Sequence, residues 1–341
     1  MRSLVWEGPR IMTMHNGPEL EPEADEVVIK VSYAGICGSE LSGYLGHNAL
    51  RVPPVVMGHE FSGEIVSVGS DVQAQYAPLS VGKAVTANPL IDCNTCEYCQ
   101  RGVNHLCLSR QLIGAHRPGA YAEYVSVPAK MVSVLPDGLS LRLGALVEPV
   151  GVGVRIGEMA GDVQGQDVLI VGAGPIGLLA LQVLQTKGAK RVFIADLSPE
   201  RLAMGEALGG EILNPASVDV VQSVLDATGG RGVSVSVDAV GLAVTRTQCV
   251  SATCATGTLI LSGLHEETSE VPAADIIRRE IVVRGCFAYS PDNFAEAIQL
   301  LLEDKIRLDP WIVEAPLTEG GPWFDRLIDE PGDVSKVLLV P

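Results

Sequence analysis

Residues 168–177 read VLIVGAGPIG, and this stretch decides the fold. Its apolar first half predicts a buried strand. Its glycines follow the pattern G-x-G-x-x-G, which turns a strand into a helix around the pyrophosphate of a dinucleotide. The first glycine allows the tight turn, the second lets the pyrophosphate approach the backbone, and the third lets the helix pack closely on the strand. The nucleotide contacts predicted in this turn are Gly172, Gly174, Pro175, Ile176 and Gly177.

The next predicted strand ends at Asp196, 24 residues after the first glycine of the turn. A carboxylate there accepts hydrogen bonds from the ribose hydroxyls of adenosine and repels a 2′-phosphate, which favours NAD over NADP as cofactor. Arg201, five residues further on, is a nearby base that weakens this discrimination. Ser198 and Pro199 are the predicted N-cap and first residue of the next helix. In the alternative interpretation, Asp196 is an acid that caps this helix.

Apolar runs rich in β-branched residues alternate with helix signals across residues 148–285. Such runs are typical of a parallel sheet that helices cover on both faces. The flanking regions, 1–147 and 286–341, are richer in short β-like runs separated by glycine and proline. We therefore predict an α/β fold in which a doubly wound Rossmann domain is inserted in a β-rich domain. The predicted strands of the inserted domain are 168–171, 192–195, 233–237, 259–261 and 281–283.

The composition of the chain, 341 residues long, fits about two folded domains. Apolar residues make up 47% and charged residues 19%, which excludes a disordered chain. The formal charge of −17 disfavours nucleic acid and anionic membranes as partners. The uncharged run 168–186 is interpreted as a strand and a helix rather than a membrane span. Because residues 1–10 lack a secretory signal, we expect a cytoplasmic protein with its eight cysteines as thiols or metal ligands.

Four of the cysteines form a dense motif within residues 92–108, in which C-x-x-C-x-x-C is followed after seven residues by the fourth cysteine. Four thiolates at this spacing can close a tetrahedron around zinc. An iron–sulfur cluster is the alternative, but its bacterial motif ends C-x-x-x-C-P, whereas leucine follows the last cysteine here. Because protein fills all four positions, we predict a structural zinc. Its ligands are Cys93, Cys96, Cys99 and Cys107.

A second set of potential metal ligands is dispersed along the chain, comprising Cys37, His59, Glu60 and Glu148. Taken singly, each has an ordinary explanation as a buried thiol, a core histidine or a solvated acid, and spacing alone does not join them. Together, a cysteine, a histidine and one carboxylate make a three-ligand zinc site with an open fourth position for a substrate oxygen. The two ligand sets predict two zinc ions per chain.

In this order, the motifs resemble those of the zinc-containing medium-chain dehydrogenase/reductase family over essentially the whole chain. Residues 58–69 match the zinc signature of that family, and the cysteine motif, the glycine-rich turn and VDAVG at 237–241 follow in its order. Residues 148–149 are similar to sorbitol dehydrogenases. The stretches similar to galactitol-1-phosphate dehydrogenases are 61–63, 279–280 and 336–341.

The resemblance implies a GroES-like catalytic domain, residues 1–147 and 286–341, around a Rossmann domain, residues 148–285. It implies a homodimer or homotetramer that associates through the sheet edge near 259–261 and 281–283. The implied chemistry is hydride transfer between an alcohol, whose oxygen zinc polarises, and a nicotinamide.

The resemblance also assigns roles to single residues. Cys37 and His59 bind the catalytic zinc, with Glu148 as the matching third ligand. Glu60 ligates directly in some states or lies just behind the metal, and Ser39 takes the proton of the substrate hydroxyl. The further cofactor contacts are Val240 and Gly263, beside Asp196 and Arg201.

Two positions depart from the family pattern. Glu40 stands where relatives have aspartate, so it must orient His59 across one more methylene. Ser42 stands where relatives often have the histidine of a proton relay, and His47 is the nearby candidate to replace it.

The function expected from these features is NAD-dependent oxidation of a secondary hydroxyl of a polyol, a sugar alcohol or its phosphate. Arg51, Arg117 and Arg284 are the cations available to a phosphate. The alternative within the same class is a simple secondary-alcohol or 2,3-butanediol dehydrogenase. An alternative of another class is an NAD-binding redox sensor or scaffold without turnover, for which an open metal site has no use.

Overall fold

The structure is a computed structural model that describes residues 1–341. The strands are β1 Arg2–Gly8, β2 Ile11–Asn16, β3 Glu26–Gly35, β4 Val55–Val56, β5 Glu60–Val68, β6 Ala84–Ala87, β7 Leu90–Ile91, β8 Gln111–Leu112, β9 Tyr124–Pro128, β10 Val132–Val134, β11 Asp167–Val171, β12 Arg191–Ala195, β13 Glu211–Leu213, β14 Val233–Asp238, β15 Thr253–Leu261, β16 Val282–Gly285, β17 Ile312–Pro316 and β18 Lys336–Val340.

The helices are α1 Gly38–Tyr44, α2 Val72–Gln75, α3 Glu97–Gln100, α4 Leu141–Gly144, α5 Val147–Ala160, α6 Pro175–Thr186, α7 Pro199–Ala207, α8 Val220–Ala227, α9 Ala243–Ala252, α10 Ala273–Arg279, α11 Pro291–Leu302 and α12 Gly320–Asp329. Short 3₁₀ turns lie at Asn104–Leu106, Ala129–Met131 and Leu317–Glu319. None of the helices combines the length and the hydropathy that crossing a membrane requires.

The chain divides into two compact units, one formed by Met1–Glu148 with Ser290–Pro341 and the other by Pro149–Tyr289. The second unit holds a six-stranded parallel sheet in the order β13-β12-β11-β14-β15-β16. This is the strand order of a doubly wound dinucleotide-binding domain, with the central strand β11 ending at the glycine-rich turn. The predicted α/β fold is therefore confirmed.

The first unit is built mainly on antiparallel pairing, and the pair of β17 with β18 is parallel. Its seven-stranded sheet runs β10-β6-β5-β3-β18-β17, with β9 also pairing with β3, and smaller sheets join β2-β1-β4 and β7-β8. Strand β3 is central, and its apolar residues form the core together with those of β5, β9 and β18. Because β3 pairs with β5 on one side and β18 on the other, residues 276 positions apart in sequence become neighbours.

The predicted strands of the Rossmann domain are all present, but their ends differ. The strand predicted at 259–261 begins earlier, at Thr253, and the one predicted at 281–283 is shifted by one to two residues, to Val282–Gly285. Strand β13 is not predicted from the sequence. It has three residues at the edge of the sheet, and its first two residues are exposed. Such a strand lacks the β-branched run by which the other strands are predicted, because few of its side chains are buried.

Candidate active site

Three potential metal ligands come together in the first unit. Cys37 follows β3 and precedes α1, His59 lies just before β5, and Glu60 is the first residue of β5. A sulfur, an imidazole nitrogen and a carboxylate oxygen of these residues lie within 4.8 Å of one another. These are the three ligand types that zinc takes in proteins.

Glu40, in the first turn of α1, connects two of these ligands. Its fully buried carboxylate accepts hydrogen bonds from the backbone N–H of Cys37 at 3.1 Å, the N–H of Gly58 at 2.8 Å and Nδ1 of His59 at 2.8 Å. The hydroxyl of Tyr121 donates a fourth bond. Since an ionised carboxylate only accepts, Nδ1 of His59 carries the hydrogen and Nε2 is left as the ligand nitrogen. The side chain of Glu40, one methylene longer than the aspartate of relatives, thus reaches His59.

The charges of this cluster favour a cation. Burial raises the pKa of Glu40, but His59, Arg51 and the hydrogen bond from Tyr121 outweigh it and lower the pKa to about 2. Burial lowers the pKa of His59, but Glu40 and Cys37 outweigh it, and the pKa stands well above its usual value. The surroundings of His59 therefore favour a positive charge, which a divalent cation on the three ligands would supply. The donor set fits zinc in type and in charge.

Glu60 also has a partner on the side of β18. Both of its carboxylate oxygens accept from Nζ of Lys336, at 2.8 and 2.7 Å, and the same ammonium donates to the carbonyl of Ile36 at 3.0 Å. Both side chains are buried. Gly35 makes the contact possible, because it pairs with Glu60 across the strands and a Cβ there would lie 2.2 Å from the Glu60 carboxylate.

Glu148 lies in the first turn of α5 and is half-buried. It is not among the three residues whose ligand atoms lie within 4.8 Å of one another. Its charge nevertheless acts on Lys336: burial lowers the pKa of this lysine, whereas Glu60, Cys37 and Glu148 raise it, and the net direction is up. The structure therefore brings Glu60, rather than Glu148, together with Cys37 and His59.

The residues predicted for proton transfer lie on or just after α1. The exposed Ser39 hydroxyl donates towards Sγ of Cys37 at 3.5 Å. Ser42 is half-buried, and His47 is exposed in the following loop, where its backbone N–H donates to the carbonyl of Ser42 at 3.0 Å. Ser39 is thus the hydroxyl nearest to the ligand group among these candidates.

The four-cysteine lobe has the geometry of a zinc site. All four sulfurs lie within 4.8 Å of one another, and the Cys93–Cys107, Cys96–Cys99 and Cys93–Cys99 pairs are 3.5, 3.5 and 4.0 Å apart. Zinc–sulfur bonds of about 2.3 Å in a tetrahedron place sulfurs about 3.8 Å apart. In an iron–sulfur cluster the sulfurs bind different irons and stand farther apart, so these distances favour zinc. Hydrogen bonds from Thr95 lower the pKa of Cys93 to about 5, whereas burial raises the pKa of Cys99 to about 12.

The glycine-rich turn has the predicted form at the carboxyl end of β11. Gly172 has a φ of +108°, which only glycine adopts easily. A Cβ on Gly177 would lie 1.8 Å from the carbonyl oxygen of Gly172, so the third glycine sets the close approach of α6 to the strand. A Cβ on Gly174 would meet nothing within 4 Å. The second glycine therefore serves no internal packing and leaves space at the start of α6, as the pyrophosphate of a dinucleotide requires.

Asp196 lies at the end of β12 beside this turn. One carboxylate oxygen accepts from the N–H of Ala173 at 2.8 Å, and the other accepts from the N–H of Ser198 at 2.9 Å. The N-cap of α7 is Ser198, whose hydroxyl accepts from the N–H of Arg201. Nη1 of Arg201 lies 4.0 Å from Asp196. Asp196 is thus tied to the glycine-rich turn, and the helix cap is another residue.

The other predicted cofactor residues lie at the carboxyl end of the same sheet. Asp238 ends β14 and accepts from the N–H groups of Val240 and Gly241, at 3.1 and 2.9 Å. A Cβ on Gly172 would lie 2.7 Å from Val240, and one on Gly263 would lie 2.2 Å from the backbone of Gly241. The loops that follow β11, β14 and β15 therefore pack closely against one another at the carboxyl edge of the sheet.

Comparison with known proteins decides the family. The family description "Alcohol dehydrogenase GroES-like domain" matches residues 23–137, and "Zinc-binding dehydrogenase" matches residues 175–303. The chain is 32% identical over 360 residues to (R,R)-butanediol dehydrogenase of Bacillus subtilis, with 100% of both chains covered. It is 34% identical over 335 residues to galactitol 1-phosphate 5-dehydrogenase of Escherichia coli, covering 95% of this chain and 94% of the relative. The chain belongs to the zinc-containing medium-chain dehydrogenase/reductase family.

A solved member of the medium-chain family has the same fold along its whole length. It is a zinc-binding dehydrogenase from Sinorhizobium meliloti 1021 bound to NADP, 30% identical, with a TM-score of 0.91 over 100% of this chain and 99% of that one. The predicted family and oxidoreductase class are confirmed by these matches.

Two residues of this medium-chain dehydrogenase site, Lys336 and Tyr121, are not predicted from the sequence. A lysine at the start of a strand is usually interpreted as a solvated end. The one available signal was the neighbouring pair His59 and Glu60, because an acid at the start of an apolar strand requires a buried partner. Arg51 was interpreted as a cation for a phosphate, but the structure buries it beneath α1.

Proposed function

We propose that this protein is a zinc-dependent dehydrogenase that transfers a hydride from a secondary alcohol, a polyol or diol, to NAD. The observation that carries this proposal is the convergence of Cys37, His59 and Glu60 within 4.8 Å, with the Ser39 hydroxyl alongside. When bound there, zinc would act as a Lewis acid on the alcohol oxygen. A scaffold without turnover would have no use for this group.

Each residue of the site would have a separate task. Cys37, His59 and Glu60 hold the cation, and Glu40 fixes the orientation of His59 through Nδ1. Oγ of Ser39 takes the proton of the alcohol and passes its own hydrogen to solvent water, because it is the exposed hydroxyl beside the ligand group. The glycine-rich turn and Asp196 bind the pyrophosphate and the ribose of the dinucleotide.

Two of the three arginines expected to bind a phosphate, Arg51 and Arg117, are engaged within the protein, whereas Arg284 is exposed. Arg51 is buried against Ser39, Arg117 pairs with Glu26, and Arg284 donates to a backbone carbonyl at 3.2 Å. This favours an uncharged polyol or diol over a sugar-alcohol phosphate. A butanediol-type substrate is the second candidate, since the Bacillus subtilis butanediol dehydrogenase aligns over the full length.

A substrate panel on zinc-replete protein, followed by NADH absorbance, tests this function. The panel is sorbitol, galactitol 1-phosphate, 2,3-butanediol and 2-propanol. We expect kcat/KM for sorbitol or 2,3-butanediol to exceed that for 2-propanol by about fivefold, because one additional hydroxyl bonded in the site contributes about 1 kcal/mol. If 2-propanol were turned over while sorbitol and 2,3-butanediol were inert, the proposed substrate class would be wrong. If galactitol 1-phosphate gave the highest rate, the preference for an uncharged substrate would be wrong.

Replacing Asp196 with asparagine should shift the cofactor preference from NAD towards NADP. Hydrogen bonds from the ribose to a charged carboxylate contribute about 1.5–3 kcal/mol, so the ratio of kcat/KM with NAD to that with NADP should fall by about 10–100-fold. Ser198→Ala is the matched control. It removes the helix cap at a cost of about 1 kcal/mol in stability and should leave the cofactor ratio unchanged. A wild-type protein that prefers NADP would remove this role from Asp196.

A further inference from the structure

The loop between α1 and β4 buries its one arginine and exposes its apolar residues. Leu50 is 43% and Val52 is 70% exposed, whereas the Arg51 side chain between them is 0% exposed. Among residues 45–54, Arg51 is the only buried residue. Burying a guanidinium is costly unless its donors are used, so this inversion requires a specific partner beneath the loop.

The partners of Arg51 are the two residues at the start of α1 next to the ligand group. Nη1 donates to the backbone carbonyl of Ser39 at 3.1 Å, and Nη2 donates to its hydroxyl at 3.4 Å. The same nitrogen lies 3.9 Å from the buried carboxylate of Glu40. Gly43 allows this approach, because a Cβ there would lie 2.9 Å from Cδ of Arg51.

The hydrogen bonds of the Ser39 hydroxyl determine where its own hydrogen can point. A hydroxyl has one hydrogen and two acceptor positions, and arginine only donates. The guanidinium therefore takes one acceptor position, the hydrogen is directed away from Arg51 towards Sγ of Cys37 at 3.5 Å, and one acceptor position remains. That remaining position is where the proton of an alcohol would arrive. Because Ser39 is exposed, its own hydrogen would then pass to solvent water rather than to the sulfur of Cys37.

We propose that Arg51 is a positioning residue for the reaction, holding the Ser39 hydroxyl with a free acceptor position turned to the substrate. This inference rests on the proposed function of Ser39 as proton acceptor. Its physical basis is that a planar guanidinium can hold the carbonyl and the hydroxyl of one residue at the same time, which fixes both the backbone and the rotamer. A lysine ammonium, which acts as a point charge on a flexible stem, does not fix both.

A double-mutant cycle on zinc-replete protein tests whether Arg51 acts through Ser39. The proteins are wild type, Ser39→Ala, Arg51→Gln and the double variant, assayed with the alcohol and NAD. Ser39→Ala should lower kcat by about 10²-fold, as expected for loss of a proton-transfer group, and Arg51→Gln by about tenfold, as expected for an outer residue. The double variant should be no slower than Ser39→Ala, because Arg51 has nothing left to position.

Further measurements separate positioning from general structural damage. Bound zinc and KM for NAD should stay near wild type in Arg51→Gln while kcat falls, although loss of the buried guanidinium beside Glu40 lowers the midpoint of thermal unfolding. Arg51→Lys is a second variant that keeps a cation opposite Glu40, and it should fold and still lose activity. Arg142→Gln, which removes a partly buried arginine paired with Asp309 and Glu314, is the matched control and should leave kcat unchanged.

The outcomes distinguish this inference from the function on which it rests. If the two single effects multiply in the double variant, or if Arg51→Lys retains full kcat, the positioning role is wrong while the role of Ser39 stands. If Ser39→Ala has wild-type activity, both the proton-acceptor role of Ser39 and the inference about Arg51 fail. A double variant equal to Ser39→Ala, with normal zinc content, supports both.

Discussion

Cys37→Ser is expected to lower kcat/KM by about 10³-fold or more and to reduce bound zinc from two atoms per chain to one. A zinc ion contributes several kcal/mol to the charge that develops in the transition state, and each 1.36 kcal/mol corresponds to a factor of ten. A serine hydroxyl keeps its proton at neutral pH and is a poor replacement for a thiolate. Elemental analysis and steady-state kinetics with the best alcohol of the panel measure the two effects.

Two other cysteine substitutions are the controls for this experiment. Cys254→Ser changes a half-buried thiol of the second unit that belongs to no ligand group, and it should leave zinc content and activity unchanged. Cys99→Ser should also remove one zinc, but from the lobe, so it should lower stability more than kcat. If Cys37→Ser retained full turnover with zinc only in the lobe, Cys37 would not belong to the catalytic site.

The sequence predicted well those features that are set by neighbouring residues. The turn at Gly172 and the cap at Ser198 each depend on a few consecutive positions, and both are found where they were predicted. The four-cysteine lobe is of the same kind, since all its ligands lie within one short segment. Local geometry fixes these features before any long-range packing forms.

The catalytic cluster could not be derived in this way, because pairing of distant strands brings it together. Lys336 meets Glu60 across 276 positions of sequence, and Tyr121 meets Glu40 across 81. Only the resemblance to a family joined Cys37 to the other ligands. That resemblance offered both Glu148 and Glu60 as ligands, and the register of β3 against β5 brings Glu60 to the group.

Lys336→Met is expected to destabilise the zinc-free protein by about 3–5 kcal/mol. The lysine ammonium donates to both oxygens of Glu60 and to the carbonyl of Ile36, and its side chain and that of Glu60 are 2% and 1% exposed. Removing it leaves a buried carboxylate with no cation, which is the costly way to break a buried pair. Urea unfolding of metal-free protein measures the change. Lys130→Met, at a pair whose lysine is 34% exposed, should cost at most about 1 kcal/mol.

Lys336→Met also tests whether Glu60 is a ligand of the metal. With lysine present, both carboxylate oxygens are held on the side of β18. With methionine, the carboxylate of Glu60 must either take up a proton or face a cation at Cys37 and His59, so zinc should bind this site more tightly and recover much of the lost stability. Chelator competition measures the affinity, and Lys336→Met/Glu60→Gln should lose both the destabilisation and the tighter binding. An equal loss of stability with and without zinc would mean that Glu60 is not a ligand of the metal.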